Sequence, residues 1–287
     1  MYEKKHTVKL FLHAGLCNQL FMIFATISYA IDNGFDYLIY SKKNITIDNG
    51  NKVYWNSILD HFANKITEVL DQKIILYNEP NFHYDKIPYI GSDFNIKGYY
   101  QSEKYFKHNY EKILELMDFN KKQQDVKDDY GYLFTKKTIA VHFRIGDYIG
   151  LIENHPIQLP EYYDNAFKYI ESKLENIRSD YNILYFCQKS DNELVNKYIK
   201  YINEKRLYNF VKVSDDIEDW KQLLIMSLCD NFIIANSTFS WFGAYFSNKQ
   251  VVLYPSIWFG NGLKHHNTKD ICPERWIKIP SKYDYSV

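Results

Sequence analysis

This chain lacks an excess of charge of either sign. Lys plus Arg and Asp plus Glu number 35 each, so the formal net charge is zero. Nucleic acids and anionic membranes select basic surfaces, which sets both aside as main partners. Cysteine is scarce. Cys17, Cys187, Cys229 and Cys272 are scattered, and no two are close enough in sequence for a metal knuckle or a redox pair. Their scatter fits buried, reduced thiols. Asp-x-Asp is absent, the nearest versions being Asp191-Asn192-Glu193 and Asp216-Ile217-Glu218. A metal-bridged diphosphate usually needs oxygen ligands of that kind, so no metal is expected. His-Glu-x-x-His, a nucleophile elbow and the kinase motif set are absent too. Long hydrophobic runs are also missing. The longest, residues 20–31, is too short to span a bilayer and is spaced like a buried helix. The first ten residues carry charges and no apolar core of signal-peptide length. The expectation is a cytoplasmic protein with no transmembrane segment. Peripheral membrane contact stays open, and the oligomeric state is unassigned.

What is present suits a soluble globular chain. Its 287 residues allow one large domain or two of about 130 residues each. Hydrophobic residues make up 46% and charged residues 24%, which argues against disorder. Aromatic content is 18%, with 27 Tyr. The accompanying excess of Lys, Asn and Ile fits an AT-rich coding sequence better than a sugar-binding aromatic surface.

The pattern along the chain predicts a parallel α/β series. Residues 6–12 read as a strand, 14–16 as a turn and 18–31 as a helix stopped by Asn33-Gly34, with a second strand over 35–40. Strands are expected over 73–77 and 95–100, and a helix over 104–117. The polar stretch 120–130 reads as a linker. Beyond it, strands are expected over 138–143, 182–186, 210–213, 232–235 and 251–254. Helices are expected over 160–174, 192–201, 217–229 and 239–246. The expected division is an N-terminal domain over 1–130 and a C-terminal domain over 131–287. Ligands in such sheets bind at the carboxyl ends of strands.

Two segments carry the candidate chemistry. In Val141-His142-Phe143-Arg144-Ile145-Gly146-Asp147-Tyr148, a strand ends in His, Arg and Asp around a glycine. Alternation puts His142 and Arg144 on one face. A guanidinium offers a planar fork of donors that matches a phosphate, and Asp147 can orient it. An Arg–Asp ion pair at a strand end would use the same residues. In Ala235-Asn236-Ser237-Thr238-Phe239-Ser240-Trp241, hydroxyls and an amide sit where a strand gives way to a helix. Backbone N–H groups and the helix dipole favour an anion there, although plain N-capping accounts for such residues as well. Ala14-Gly15-Leu16-Cys17-Asn18-Gln19 is a helix start without dinucleotide or Walker spacing.

Together these segments resemble the α-1,2-fucosyltransferase family, glycosyltransferase family 11. Residues 14–21, Ala-Gly-Leu-Cys-Asn-Gln-Leu-Phe, resemble its Gly-Gly-Leu-Gly-Asn-Gln-Leu-Phe. Residues 98–106, Gly-Tyr-Tyr-Gln-Ser-Glu-Lys-Tyr-Phe, resemble its Gly-Tyr-aromatic-Gln-Ser-Glu-Lys-Tyr-Phe. Residues 142–148 resemble its His-x-Arg-Arg-Gly-Asp-Tyr motif, and residues 226–229 and 233–241 resemble its most distinctive stretch. The chain departs from the family at Ala14 and Cys17, which replace glycines, and at Ile145, which replaces the second arginine.

The resemblance implies a GT-B fold, two Rossmann-like parallel α/β domains facing a central cleft. It implies inverting, metal-independent transfer from GDP-fucose to the 2-hydroxyl of a terminal β-galactoside on a glycan. The donor would sit in the C-terminal half and the acceptor in the N-terminal half. Arg144 would bind the β-phosphate and His142 would help place the nucleotide. Asn236, Ser237, Thr238, Phe239 and Ser240 would cradle diphosphate and fucose. Asp216 could face guanine, and Gly15, Asn18 and Gln19 would contact substrate. Asp147 and Glu153 are the candidate bases. A transferase for another nucleotide sugar, GDP-mannose or a UDP-sugar, and a catalytically inactive carbohydrate-binding relative are the alternatives.

Overall fold

A computed structural model describes residues 5–41, 52–69, 73–204, 206–247 and 251–282. The chain divides into two compact units. One comprises residues 1–122 and 266–273, the other residues 123–265 and 274–287.

The first unit is built on a five-stranded parallel sheet. Its elements are β1 (Thr7–Phe11), α1 (Leu16–Asn33), β2 (Asp36–Tyr40), β3 (Ile66–Thr67), β4 (Ile75–Asn78), β5 (Phe94–Lys97) and α2 (Tyr110–Leu116). The strand order is β3-β2-β1-β5-β4, with Val8 opposite Tyr37 on one side and Phe94 on the other. Helix α1 is buried along nearly its whole length because its residues are apolar all round. It ends at the expected stop, where Gly34 takes φ 68° and closes the last turn. The remote segment 266–273 is fastened to this unit. Asp270, 9% exposed, accepts the Tyr84 N–H (3.1 Å) and pairs with Lys104 (2.6 Å).

The stretch 120–130 is no linker. It lies in helix α3 (Phe119–Tyr130), and the division between the units falls inside that helix. Only one narrow stripe is apolar: Phe119 and Val126 are 2% exposed and lie two turns apart.

The second unit holds β6 (Lys137–His142), α4 (Pro160–Glu171), α5 (Ile177–Asp180), β7 (Tyr181–Phe186), α6 (Asn192–Asn203), β8 (Phe210–Lys212), α7 (Asp219–Ser227), β9 (Asn231–Ile233), α8 (Thr238–Ser247), β10 (Val252–Pro255) and β11 (Ile277–Ile279). Its parallel six-stranded sheet has the order β11-β10-β9-β6-β7-β8. Strand β6 is buried on both faces, so it reads as a continuous apolar run rather than an alternating one. The core centres on Ile139, Val141, Ile183 and Ile233, packed by Tyr163 and Phe167 of α4. All four cysteines are free thiols; Cys187 is half-buried and the other three are buried. Among the described residues, no helix is long and apolar enough to cross a membrane.

Candidate active site

The strand order of the second unit locates its crevice. The chain runs outward from β6 through β7 to β8, then returns to β9 on the other side of β6. The switch point therefore lies between β6 and β9, and their carboxyl ends flank the ligand crevice of such a sheet. His142 and Arg144 leave β6 there, and residues 235–240 leave β9. Two tyrosines of α4 fix these exits. The Tyr163 hydroxyl donates to the His142 carbonyl (3.0 Å), and the Tyr162 hydroxyl donates to that of Ile234 (2.5 Å).

The two segments meet. The His142 ring lies 5.4 Å from that of Phe239. The Tyr148 hydroxyl donates to the Asn236 carbonyl (2.9 Å), and the Arg144 guanidinium stands 5.2 Å over the Tyr148 ring. Arg144 Nη2 also lies 2.9 Å from each Asp147 carboxylate oxygen. Asp147 thus orients the guanidinium. Three polar atoms stay unmatched. Arg144 Nε, His142 Nδ1 and Gln158 Oε1 are buried with no hydrogen-bond partner. A buried orphan donor costs about 1–3 kcal/mol, so these groups leave hydrogen-bonding capacity unused at the strand exit. His142 is neutral: burial, helped by the Arg144 charge, holds its pKa down to about 3. It can donate from one ring nitrogen and accept at the other, but brings no cation to a phosphate.

Three residues at this site escaped the sequence reading. Tyr148 is the buried hub just described. His155 stacks on it (4.9 Å, 24°) and meets Phe259 edge-on at 5.6 Å. Burial lowers the His155 pKa, while the Asp147 charge opposes and the Arg144 charge assists. Gln158 is 2% exposed and donates to Asn236 Oδ1 (3.2 Å) and to the Ile257 carbonyl (3.2 Å). Tyr148 stood inside the basic motif but was one tyrosine among 27. Nothing local distinguished Gln158.

The remaining candidates are placed as follows. Asn236 is 1% exposed, and its amide donates to the Pro156 and Trp258 carbonyls (both 3.0 Å). Both ends of that amide are held by protein, so Asn236 clasps the loops that carry Pro156, Gln158 and Trp258. The Ser237 hydroxyl accepts the Phe239 N–H (3.4 Å), and Ser240 bonds back to the carbonyls of Ala235 and Ser237 (3.4 and 3.3 Å). Both hydroxyls shape the first turn of α8, where Thr238 and Phe239 are half-buried. Glu153 is exposed. Its carbonyl accepts the Gly262 N–H (2.8 Å), and a Cβ on Gly260 would come within 2.4 Å of that same carbonyl oxygen. Asp216 lies on the exposed loop after β8, two strands from β6, its N–H bonded to Ser214 Oγ (3.2 Å).

Gly15, Asn18 and Gln19 belong to the first unit. Gly15 caps α1 in an extended conformation. Asn18 Oδ1 accepts from Gln101 Nε2 (2.7 Å), and Gln19 Nε2 donates to the carbonyls of Ala14 (2.9 Å) and Lys52 (3.0 Å). Ala14 takes φ 61°, a left-handed conformation that glycine adopts without strain. Among the described residues, no cluster of three His, Cys, Asp or Glu side chains could hold a metal ion.

Residues 36–279 match the profile of glycosyl transferase family 11. The chain is 28% identical over 187 residues to an alpha-1,2-colitosyltransferase of Escherichia coli, covering 63% of this chain and 61% of that protein. It is 29% identical over 152 residues to the O-antigen biosynthesis glycosyltransferase WbnK of Escherichia coli, covering 50% of this chain and 44% of that one. The chain therefore spans about three fifths of the first relative and less than half of the second. The structure of NodZ alpha-1,6-fucosyltransferase soaked with GDP-fucose aligns with a TM-score of 0.52 over 88% of this chain and 96% of that one, at 12% identity. The fold is of the GT-B type.

Proposed function

This chain belongs to glycosyl transferase family 11, and on that ground we propose that it moves L-fucose from GDP-fucose to the 2-hydroxyl of a terminal β-galactoside on a glycan. The observation that carries the reading is the buried, unpartnered Arg144 Nε at the switch point of the second unit. In this reading the acceptor oxygen bonds to fucose C1 from the face opposite the phosphate. The C1–O bond to the β-phosphate breaks, and its electron pair leaves with GDP. The configuration at C1 inverts. Negative charge grows on the diphosphate oxygens, where the Arg144 fork and the N–H groups opening α8 stabilise it. Arg144 supplies the countercharge in place of a divalent cation, so the transfer is metal-independent. Tyr148 and Asp147 keep the guanidinium aimed. Neutral His142 helps hold the nucleotide. The proton of the attacking hydroxyl passes to a carboxylate of the 147–153 turn, and full kcat in Asp147→Asn would leave Glu153 in that role.

Calorimetric titration with GDP, GDP-fucose and UDP in EDTA, on wild type and Arg144→Ala, tests the reading. Selective guanine-nucleotide binding that Arg144→Ala abolishes is the expected result. No GDP binding, or UDP binding of equal strength, overturns the donor assignment. The relative named for alpha-1,2-colitosyl transfer favours one second reading, in which the donor carries colitose. Competition of GDP-fucose against a nucleotide-linked colitose separates the two.

A further inference from the structure

The exit of β6 has a support on the neighbouring strand. Strands β6 and β7 run parallel with His142 opposite Phe186, and the Phe143 N–H continues the ladder to the Phe186 carbonyl (2.9 Å). The two strands therefore end side by side. Beyond β7 the chain makes one 3₁₀ turn, Lys189–Asp191, and enters α6. That turn brings Asp191 against the exit of β6. Its Oδ2 accepts the Gly146 N–H (2.9 Å), 45 residues away in sequence. A Cβ on Gly146 would intrude here, 3.5 Å from the same oxygen and overlapping the Gln188 side-chain amide.

Gly146 opens the 3₁₀ turn Gly146–Leu151. The first N–H groups of a helical turn have no partner inside it, and Asp191 supplies one from another strand. Asp191 is 4% exposed, and its second oxygen accepts the Ser190 hydroxyl (3.0 Å). Both of these donors are neutral. A serine or asparagine oxygen would cap the turn without burying a charge, and a buried charge is costly. What a carboxylate adds is a bond to the N–H about twice as strong as a neutral one. The place it holds is particular. Arg144 and Asp147 close on each other across Ile145-Gly146, with Arg144 Nη2 2.9 Å from the Asp147 carboxylate. Between the two, the Gly146 N–H is tied to the end of a second strand.

We propose that Asp191 is a positioning residue for Arg144: by pinning the Gly146 N–H, it fixes the turn that aims the guanidinium at the diphosphate. The inference rests on the diphosphate-binding role proposed for Arg144. In it Asp191 acts through Arg144 and not on the substrate.

The test is a double-mutant cycle read by calorimetric titration of the full chain with GDP and UDP in EDTA. Asp191→Ala, Asp191→Asn and Ser190→Ala are each made beside Arg144 and beside Arg144→Lys. A lysine is a point charge on a flexible stem, so it does not depend on the aim of a planar fork. Beside Arg144, Asp191→Ala should bind GDP about tenfold more weakly, the scale of one hydrogen bond to a charged group. Asp191→Asn keeps an acceptor oxygen and should stay within about threefold of wild type. Beside Arg144→Lys, the Asp191 substitutions should change affinity by less than about twofold. Asp230→Ala is the control. Its carboxylate accepts the Thr138 N–H (2.9 Å) at the opposite end of β6, so its loss should lower Tm and leave GDP affinity as it is. A loss of equal size beside Arg144 and Arg144→Lys is a general loosening and overturns the proposal, as does unchanged affinity in Asp191→Ala. Where Arg144→Lys binds too weakly to titrate, an equal loss in Asp191→Ala and Asp230→Ala, or in Asp191→Ala and Asp191→Asn, overturns it. Should Asp191→Ala fail to fold, the exposed Ser190 decides. Ser190→Ala frees the other carboxylate oxygen and should weaken GDP about threefold, and affinity equal to wild type overturns the proposal. UDP bound as tightly as GDP, with the same Asp191 pattern for both, defeats the donor reading and leaves the positioning role standing. No binding of either nucleotide by wild type defeats both.

Discussion

Replacing Asn236 by Ala removes three hydrogen bonds at once. The Asn236 amide donates to the Pro156 and Trp258 carbonyls at 3.0 Å each and accepts from Gln158 at 3.2 Å. Pro156, Gln158 and Trp258 are themselves buried, so water does not readily replace the lost partners. Each stranded buried group costs about 1–3 kcal/mol. Gln158 keeps its bonds to the Ile257 and Pro156 carbonyls, which leaves the Trp258 carbonyl orphaned and a destabilisation of about 1–3 kcal/mol. Asn236→Asp costs at least as much, because a carboxylate oxygen then faces two carbonyl oxygens. Four of the five tryptophans, at 220, 241, 258 and 276, lie in the second unit. Urea unfolding followed by tryptophan fluorescence therefore reports the unit that carries the clasp. GDP affinity should fall together with stability, since the clasped loops border His155 and the start of α8. A loss of GDP affinity with stability changed by less than about 1 kcal/mol would refute the clasp and make Asn236 a ligand contact.

Four further outcomes follow from the same geometry. Ala14→Gly relieves a left-handed φ of 61° and should stabilise the first unit by about 1 kcal/mol, read as a raised Tm. Gly260→Ala drives a Cβ to 2.4 Å from the Glu153 carbonyl oxygen and should destabilise by about 1–3 kcal/mol, whereas Gly131→Ala, with nothing within 4 Å, should be near neutral. His142 has its pKa lowered on folding from 6.5 to about 3. Its contribution is therefore full above pH 6.5 and is lost as pH falls toward 3, so the second unit weakens in acid by an amount of the order of a few kcal/mol. Unfolding of His142→Asn across that range should show a flatter profile. Glu79 behaves in the opposite sense: burial raises its pKa from 4.5 to about 7, against the bonds from Tyr100 and Tyr99. The first unit, reported by Trp55, should lose stability as pH rises from 4.5 through 7, and Glu79→Gln should abolish that slope.

The second unit was the more legible in the sequence. Strand β6 ends in a guanidinium, a carboxylate and a glycine, and the sheet order brings that exit beside residues 235–240. Both features leave short, local signals. Helix α3 left a misleading one, because a surface helix that buries only Phe119 and Val126 on one stripe is as polar as a linker. Strands β3 and β11, of two and three residues, were too short to show a period. The role of Asn236 depends on carbonyls 80 and 22 residues away. No local pattern encodes such partners. The Asp191–Gly146 bond was hidden for the same reason, since β6 and β7 must come together before it exists.

The return of residues 266–273 to the first unit constrains how this protein can be cut or recombined. A single crossover at the 122/123 division would carry the 266–273 segment away with the second unit. Asp270 would then arrive without Lys104 and the Tyr84 N–H that neutralise its buried carboxylate. A chimaera that joins the second unit of one relative to the first unit of another must therefore exchange residues 266–273 along with residues 1–122. Natural variation in the first unit should be written in two separated stretches of the gene that change together.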